Sequence, residues 1–228
     1  MTEHEKYIEP VAHIKNDFCE KFGIPRQSGI APSAVSEIVF EEKYSDRNML
    51  RSIEQFSHLW LIWGFSQCRD EEWSPTVRPP RLGGNTRTGV FATRSPFRPN
   101  HLGLSCVKLE GIAETESGTV LRVSGADILN GTPIYDIKPY IPYADCKADA
   151  LGGFAEQHKN DRLEVIFSDE ALRKIPQGKE AVLREVLALD PRPAYQNDES
   201  RVYAMAFGGM QIKFTVSGNT LIVTEVIE

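Results

Sequence analysis

A chain of 228 residues, 41% hydrophobic and 25% charged, can bury a full core without disulfides or a structural metal, and its net charge of −6 excludes a generally basic nucleic-acid coat. No apolar run approaches the roughly 18 residues of a membrane helix. The stretch from Met1 to Lys6 lacks the basic and apolar regions of a signal peptide, and Cys19, Cys68, Cys106 and Cys146 show no paired spacing. These features predict a cytoplasmic protein with reduced thiols, no metal and no membrane segment.

In chain order, Val35–Phe40 has the β-branched content of a strand, and residues 47–55 are the one helical candidate before residue 150. Residues 56–65, Phe-Ser-His-Leu-Trp-Leu-Ile-Trp-Gly-Phe, form the near-continuous apolar run of a buried central strand. Residues 90–93 are a short strand candidate. Residues 104–112 and 119–126 predict a hairpin around Glu114-Thr115-Glu116-Ser117-Gly118. The texture changes after a small, Gly-containing linker at 148–153. A short helix is expected at Asp169–Lys174, capped by Ser168 and stopped near Pro176, and a second at 179–189, ended by Asp190-Pro191. Strands at 202–207, 211–216 and 220–226 follow, joined by Gly-containing turns. The expected fold is therefore mainly β: a compact antiparallel barrel over residues 1–150, then a small α+β C-terminal module over 155–228.

The charge is unevenly placed. Between Trp73 and Leu109 there is no acidic residue, while Arg78, Arg81, Arg87, Arg94, Arg98 and Lys108 give a local +6. Arginine suits bidentate capture of phosphate or carboxylate, so an anion-binding surface on an acidic protein is expected there. Gly84-Asn85-Thr86-Arg87-Thr88-Gly89 begins like a phosphate loop, but Val90-Phe91 stand where Lys and Ser/Thr are required. No G-x-G-x-x-G fingerprint occurs, the histidines show no metal-ligand spacing, and Gly103-Leu104-Ser105 lacks the second glycine of a nucleophile elbow. His58 is read as a satisfied polar residue near a strand. Two stretches remain. In residues 91–103, prolines on both sides of Arg98 stiffen a loop from which Arg94 and Arg98 project. In residues 127–140, Asp127, Asn130, Asp136, Lys138, Tyr135 and Tyr140 gather around Gly131-Thr132-Pro133.

With these stretches, the segments Lys21-Phe22-Gly23-Ile24-Pro25-Arg26-Gln27, Phe56-Ser57-His58-Leu59-Trp60, Arg78-Pro79-Pro80-Arg81-Leu82-Gly83-Gly84-Asn85 and Asp190-Pro191-Arg192-Pro193-Ala194-Tyr195 occur in an order that resembles the TrmO-like (TsaA/YaeB-like) family of tRNA N6-threonylcarbamoyladenosine methyltransferases. The last segment resembles the C-terminal module of the longer bacterial members. The chain departs from the family's Asp-Gly-Thr-Pro at Asn130, which removes a carboxylate but keeps a hydrogen-bond acceptor. The resemblance implies S-adenosylmethionine as methyl donor, a β-barrel catalytic domain, and a homodimer with the cofactor site near the interface. It places cofactor contacts on Pro25, Arg26, Gln27, Phe65, Ser66, Arg94, Ser124, Asp127, Ile128, Leu129 and Asn130.

A sulfonium donor needs neither metal nor protein nucleophile, which suits a sequence offering neither. The acceptor nitrogen must lose a proton, which Asp127 or Asp136 could accept while Tyr140 orients the base. Arg78, Arg81, Arg87 and Arg98 are expected on the phosphates of the tRNA anticodon loop carrying threonylcarbamoyladenosine, with Arg192 and Tyr195 as a further RNA contact. The rival from another class is a non-catalytic RNA-binding or adaptor protein using the same basic surface. Because the cofactor motifs all precede residue 141, a chain ending near residue 150 is expected to keep cofactor binding.

Overall fold

The computed structural model describes residues 7–67, 73–79, 82, 85–192 and 198–227, with the side chains of 157 and 158 left aside. Arg81, Gly84, Cys68, Tyr195 and the N-terminal six residues lie outside the described residues.

Among the described residues twelve strands carry the fold: β1 (Ala12–Lys15), β2 (Val35–Phe40), β3 (His58–Gly64), β4 (Thr76–Val77), β5 (Thr88–Gly89), β6 (Leu102–Thr115), β7 (Gly118–Ser124), β8 (Pro133–Pro139), β9 (Glu164–Phe167), β10 (Tyr203–Phe207), β11 (Met210–Ser217) and β12 (Thr220–Ile227). Six of them close on themselves in the order β1-β2-β7-β6-β3-β8, antiparallel throughout. The ring is uneven. β3 and β6 pair over seven residues, whereas β1 and β8 meet only at Ala12 opposite Ile134 and His13 opposite Pro133. Alternation explains the inside: Leu59, Leu61 and Trp63 of β3 turn inward with Ile14, Ile38, Val107, Leu121 and Ile134.

The C-terminal part is a four-stranded sheet, β10-β11-β12-β9, with β9 parallel to β12. It packs against helices α2 (Asp169–Lys174) and α3 (Lys179–Ala188), which follow the short α1 (Pro142–Asp145). Ser168 Oγ caps α2 by accepting from Ala171 N at 3.2 Å, and Val182, Leu183, Val186 and Leu187 give α3 its buried face. Phe18, Ala31 and Ala34, from the loop between β1 and β2, are buried in this second core rather than in the first. Asp17 and Glu20 of the same loop cover the β10 edge: the Asp17 carbonyl accepts from Gly208 N at 3.0 Å and Glu20 Oε1 from Ala206 N at 2.7 Å.

Three local expectations are corrected. The helix expected at 47–55 is two 3₁₀ turns, Arg47–Leu50 and Ile53–Gln55, separated by Ser52 at φ 71. Only Leu50 in this stretch is fully buried, too little apolar surface to hold a longer helix. The strand expected at 90–93 is a 3₁₀ turn, Val90–Ala92, closed by Thr93, whose N and Oγ1 both donate to the Val90 carbonyl at 3.1 and 2.8 Å. Pro133–Pro139, read above as a strand-end loop, is itself a strand, with Pro133 at its first position where a missing N–H is tolerated.

Candidate functional site

One cleft of about 1090 Å³ opens where β3 ends and β6 begins. Five segments build it, one of them the start of β6 with Leu102, Gly103, Leu104 and Cys106. The loop after β1 supplies Lys21, Ile24 and residues 25–28, and the end of β3 supplies Trp63, Phe65 and Ser66. Residues 91–100 form the outer wall, and the turn between β7 and β8 contributes Asp127, Leu129 and Thr132. The main chain continues the sheet past β3, since Phe65 N donates to the His101 carbonyl at 2.8 Å. The left-handed His101, φ 48, then turns residues 96–100 over the opening, its Nδ1 within 2.8 Å of the Pro96 carbonyl.

Among the described residues the charged lining is asymmetric: Lys21, Arg26, Arg94 and Arg98 against one carboxylate, Asp127. Arg94 is exposed and bonds to Gln27 through its Nη1 and the Gln27 Oε1. Arg26 Nη2 donates to the main-chain carbonyl of Asp190 at 3.1 Å. Asp127 receives the Ser105 hydroxyl at 2.5 Å, and the Trp63 indole N–H donates to that same hydroxyl at 2.9 Å. Burial pushes the Asp127 carboxyl above its ordinary value, against the pull of Ser105, Arg94 and the Ser28 N–H. Burial likewise raises the Cys106 thiol, so this cleft residue holds its proton. Among the described residues no cluster of His, Cys, Asp and Glu could hold a metal, and no helix is long and apolar enough to cross a membrane.

The residues expected at a cofactor site divide here. Pro25, Arg26, Gln27, Phe65, Ser66, Arg94, Asp127 and Leu129 line the cleft together. Ser124 is buried with its hydroxyl on Glu110 Oε1 at 2.6 Å, and Ile128 belongs to the core of the closed sheet. Asn130 braces the β1–β2 loop, its Oδ1 accepting from Asn16 N at 2.9 Å and its own N–H donating to the Phe18 carbonyl at 2.8 Å. None of these three lines the cleft.

Of the expected proton acceptors, Asp127 alone lines the cleft. Asp136 is exposed on β8, paired with Lys138 at 3.6 Å. Tyr140 packs beside Trp60, ring centroids 5.7 Å apart, and partial desolvation holds its phenol above the ordinary range. His58, satisfied by Ser57 Oγ at 2.9 Å, is the structural residue that the sequence suggests.

The arginines also separate. Arg78 and Arg87 are exposed and flank the Val77–Thr88 pair of the β4–β5 ribbon, which makes them cross-strand neighbours. Arg98 braces its own loop, donating to the carbonyls of Thr93 at 3.1 Å and Ser95 at 3.4 Å. Arg192 does not face solvent as an RNA contact would. Its side chain is 11% exposed, and its guanidinium grips both carboxylate oxygens of Asp190, at 2.8 and 2.9 Å. Sequence reasoning did not find Ser105 or Trp63; a serine inside a strand carries no local signal of what lies behind it.

Comparison with known proteins matches residues 13–146 to the tRNA-methyltransferase O N-terminal domain and residues 160–228 to the TrmO C-terminal domain. The chain is 39% identical over 219 residues to the tRNA (adenine(37)-N6)-methyltransferase of Escherichia coli (strain K12), covering 92% of this chain and 93% of that one. It is 46% identical over 173 residues to the protein of the same name from Eikenella corrodens, covering 75% and 97%. The crystal structure of TrmO from Pseudomonas aeruginosa superposes with a TM-score of 0.80 at 32% identity, covering 98% of this chain and 100% of that one.

Proposed function

The chain belongs to the tRNA-methyltransferase O family, and from that membership we propose that it transfers a methyl group from S-adenosylmethionine to N6 of adenine 37 in tRNA. The observation that carries this reading is the cleft itself: one half-buried carboxylate, Asp127, among arginines and apolar walls. That donor set fits S-adenosylmethionine. Arg26 and Arg94 suit the carboxylate of its methionine tail, Asp127 suits the ammonium, and Phe65, Leu129 and Ile24 suit the adenine ring. Bound there, the cofactor supplies a methyl group already activated on a sulfonium.

The protein's own share is alignment. Holding acceptor and donor at about 3–3.5 Å in line is the main lever on such a displacement. With Asp127 on the ammonium, the proton leaving N6 passes to solvent water, and Tyr140, which packs beside the lining residue Trp60 without itself lining the cleft, holds that wall. We take residues 1–150 as a β-barrel catalytic domain and 155–228 as a C-terminal domain. The substrate is the anticodon loop carrying threonylcarbamoyladenosine, and Arg78 and Arg87 meet its phosphates. A homodimer suits the cleft rim, where Phe91 is 79% and Leu104 56% exposed. The assembly is assigned to the cytoplasm. A non-catalytic RNA adaptor is disfavoured, because a phosphate-binding surface has no use for a carboxylate at the centre of its cleft.

The test is incubation with S-adenosylmethionine and tRNA that carries or lacks threonylcarbamoyl, followed by mass spectrometry of the nucleosides. Methylation confined to the modified tRNA is expected. Equal methylation of unmodified tRNA would remove the threonylcarbamoyl requirement, and none on either would overturn the activity.

A further inference from the structure

Behind the cleft wall, three residues on two strands and a turn form a hydrogen-bond chain with one direction. The Trp63 indole N–H can only donate, and it donates to Ser105 Oγ at 2.9 Å. Ser105 therefore has its single hydrogen left for Asp127, whose Oδ1 lies 2.5 Å away. Both donors are shut off from water, Trp63 at 6% and Ser105 at 1% exposure. Their geometry depends on Gly103, opposite Trp63 in the β3–β6 register, where any Cβ would overlap the indole ring.

We propose that Ser105, braced by Trp63 and accommodated by Gly103, is a positioning residue that holds the Asp127 carboxylate as a fixed acceptor in the cleft. Ser105 does not line the cleft and acts through Asp127 alone. The position calls for no polar group on packing grounds, since its neighbours inside the closed sheet are Leu61, Trp63 and Val107. The Asp127 and Ser28 N–H groups and Arg94 also act on Asp127, and Lys21, Arg26 and Arg98 share its cleft, so among the described residues the hydroxyl is the one neutral side chain tied to it. Burial drives this carboxyl toward its protonated form, in which it would accept less well; the Ser105 hydroxyl works in the opposite direction. The inference rests on reading the cleft as the cofactor site.

Ser105→Ala, Ser105→Thr and Trp63→Phe test it, with the Asp127 carboxyl titrated by carbon NMR and S-adenosylmethionine binding measured by calorimetry from pH 5 to 8. In Ser105→Ala the Asp127 midpoint should rise by about one pH unit, a tenfold gain in proton affinity, and the acid limb of binding should move with it. Threonine should restore both. Trp63→Phe removes the indole N–H together with part of the ring that packs on Gly103, and should give a smaller shift in the same direction even if Ser105→Ala fails to fold. An unmoved midpoint in Trp63→Phe, and in Ser105→Ala where it folds, overturns the proposal. A shifted midpoint in a protein that binds no S-adenosylmethionine supports the relay and overturns the functional reading instead.

Discussion

The Arg26 guanidinium, at the cleft, donates to the main-chain carbonyl of Asp190 at 3.1 Å, joining residues 164 positions apart. Asp190 ends α3 in a left-handed conformation, φ 52, which costs a non-glycine residue of order 1 kcal/mol and is held by its surroundings. Arg26 is part of those surroundings, so one side chain serves both the cleft and the docking of the C-terminal module. Arg26→Ala should weaken S-adenosylmethionine binding about tenfold and also speed proteolysis near residue 190. Weaker binding with unchanged proteolysis would show that the Asp190 contact is incidental.

Arg94 lacks that second duty. It is exposed, its named partner is Gln27, and it acts electrostatically on Asp127. A charge-assisted hydrogen bond contributes about 1.5–3 kcal/mol, so Arg94→Ala should lower cofactor affinity roughly ten- to a hundredfold. The melting temperature should stay within a degree or so of the parent, as calorimetry of the two proteins would check.

The contrast between these arginines shows what the sequence could disclose. Strong periodicity or a cap made Val35–Phe40, the 104–126 hairpin, Asp169–Lys174 and α3 legible. β8 was hidden because its exposed Asp136 and Lys138 and its terminal prolines read as loop chemistry. The charge reversal pointed to the arginine stretch, and the family motifs gathered most of the residues that line the cleft. Nothing local could show that Phe18, Phe22 and Ile24 pack on strands some 180 residues away, or that Arg192 turns inward onto Asp190. Those facts belong to tertiary contacts, which override local signals.

Arg192 yields a stability prediction in place of an RNA one. Its side chain is nearly buried on the Asp190 carboxylate, which is itself partly exposed, so removing it should cost about 1–2 kcal/mol. Arg192→Ala should therefore lower the melting temperature by several degrees and leave the salt dependence of tRNA binding unchanged. The exposed pair Arg78 and Arg87 should behave oppositely. Replacing both with alanine should leave stability alone and reduce the slope of log affinity against log salt by about 1.4 for a single-stranded loop.

Asp127 sets function against stability. A carboxyl raised above its unfolded value binds more protons in the folded than in the unfolded state across the interval between the two values. Stability therefore falls as pH rises through that interval and stays reduced above it. Asp127→Asn keeps an oxygen to accept from Ser105 but carries no charge, so it should melt higher than the parent at pH 7. Each kcal/mol recovered is worth about 2–4 °C, and the gain should vanish near pH 3. Cofactor binding should drop at the same time. A lower melting temperature at pH 7 would mean that Arg94 and the hydrogen bonds outweigh the desolvation of this carboxylate.

The final prediction reverses the expectation that a chain ending near residue 150 keeps its cofactor site. The loop that brings Pro25, Arg26 and Gln27 to the cleft is anchored at both ends in the C-terminal core, by Phe18 before them and by Ala31 and Ala34 after them. Phe18 meets the Phe207 ring edge-on at 5.7 Å, Phe22 stacks on Phe214 at 6.4 Å, and Ser33 is tied to Glu185 through two bonds of 2.9 and 2.7 Å. Gly23, at φ 90, lets the chain pass against Met205, where a Cβ would overlap the thioether. Removing the module exposes these apolar groups and frees the loop, whose ordering must then be achieved by the ligand itself at about 1–2 kcal/mol per residue of backbone. The shortened chain should lose S-adenosylmethionine binding by at least a hundredfold while circular dichroism still reports its strands. Full-length Gly23→Ala should show a milder loss of the same kind, because it disturbs the docking without deleting it. Undiminished binding by the shortened chain would mean that the closed sheet alone holds residues 25–27 in place, through the Asn16 and Asn130 contacts at the base of the loop.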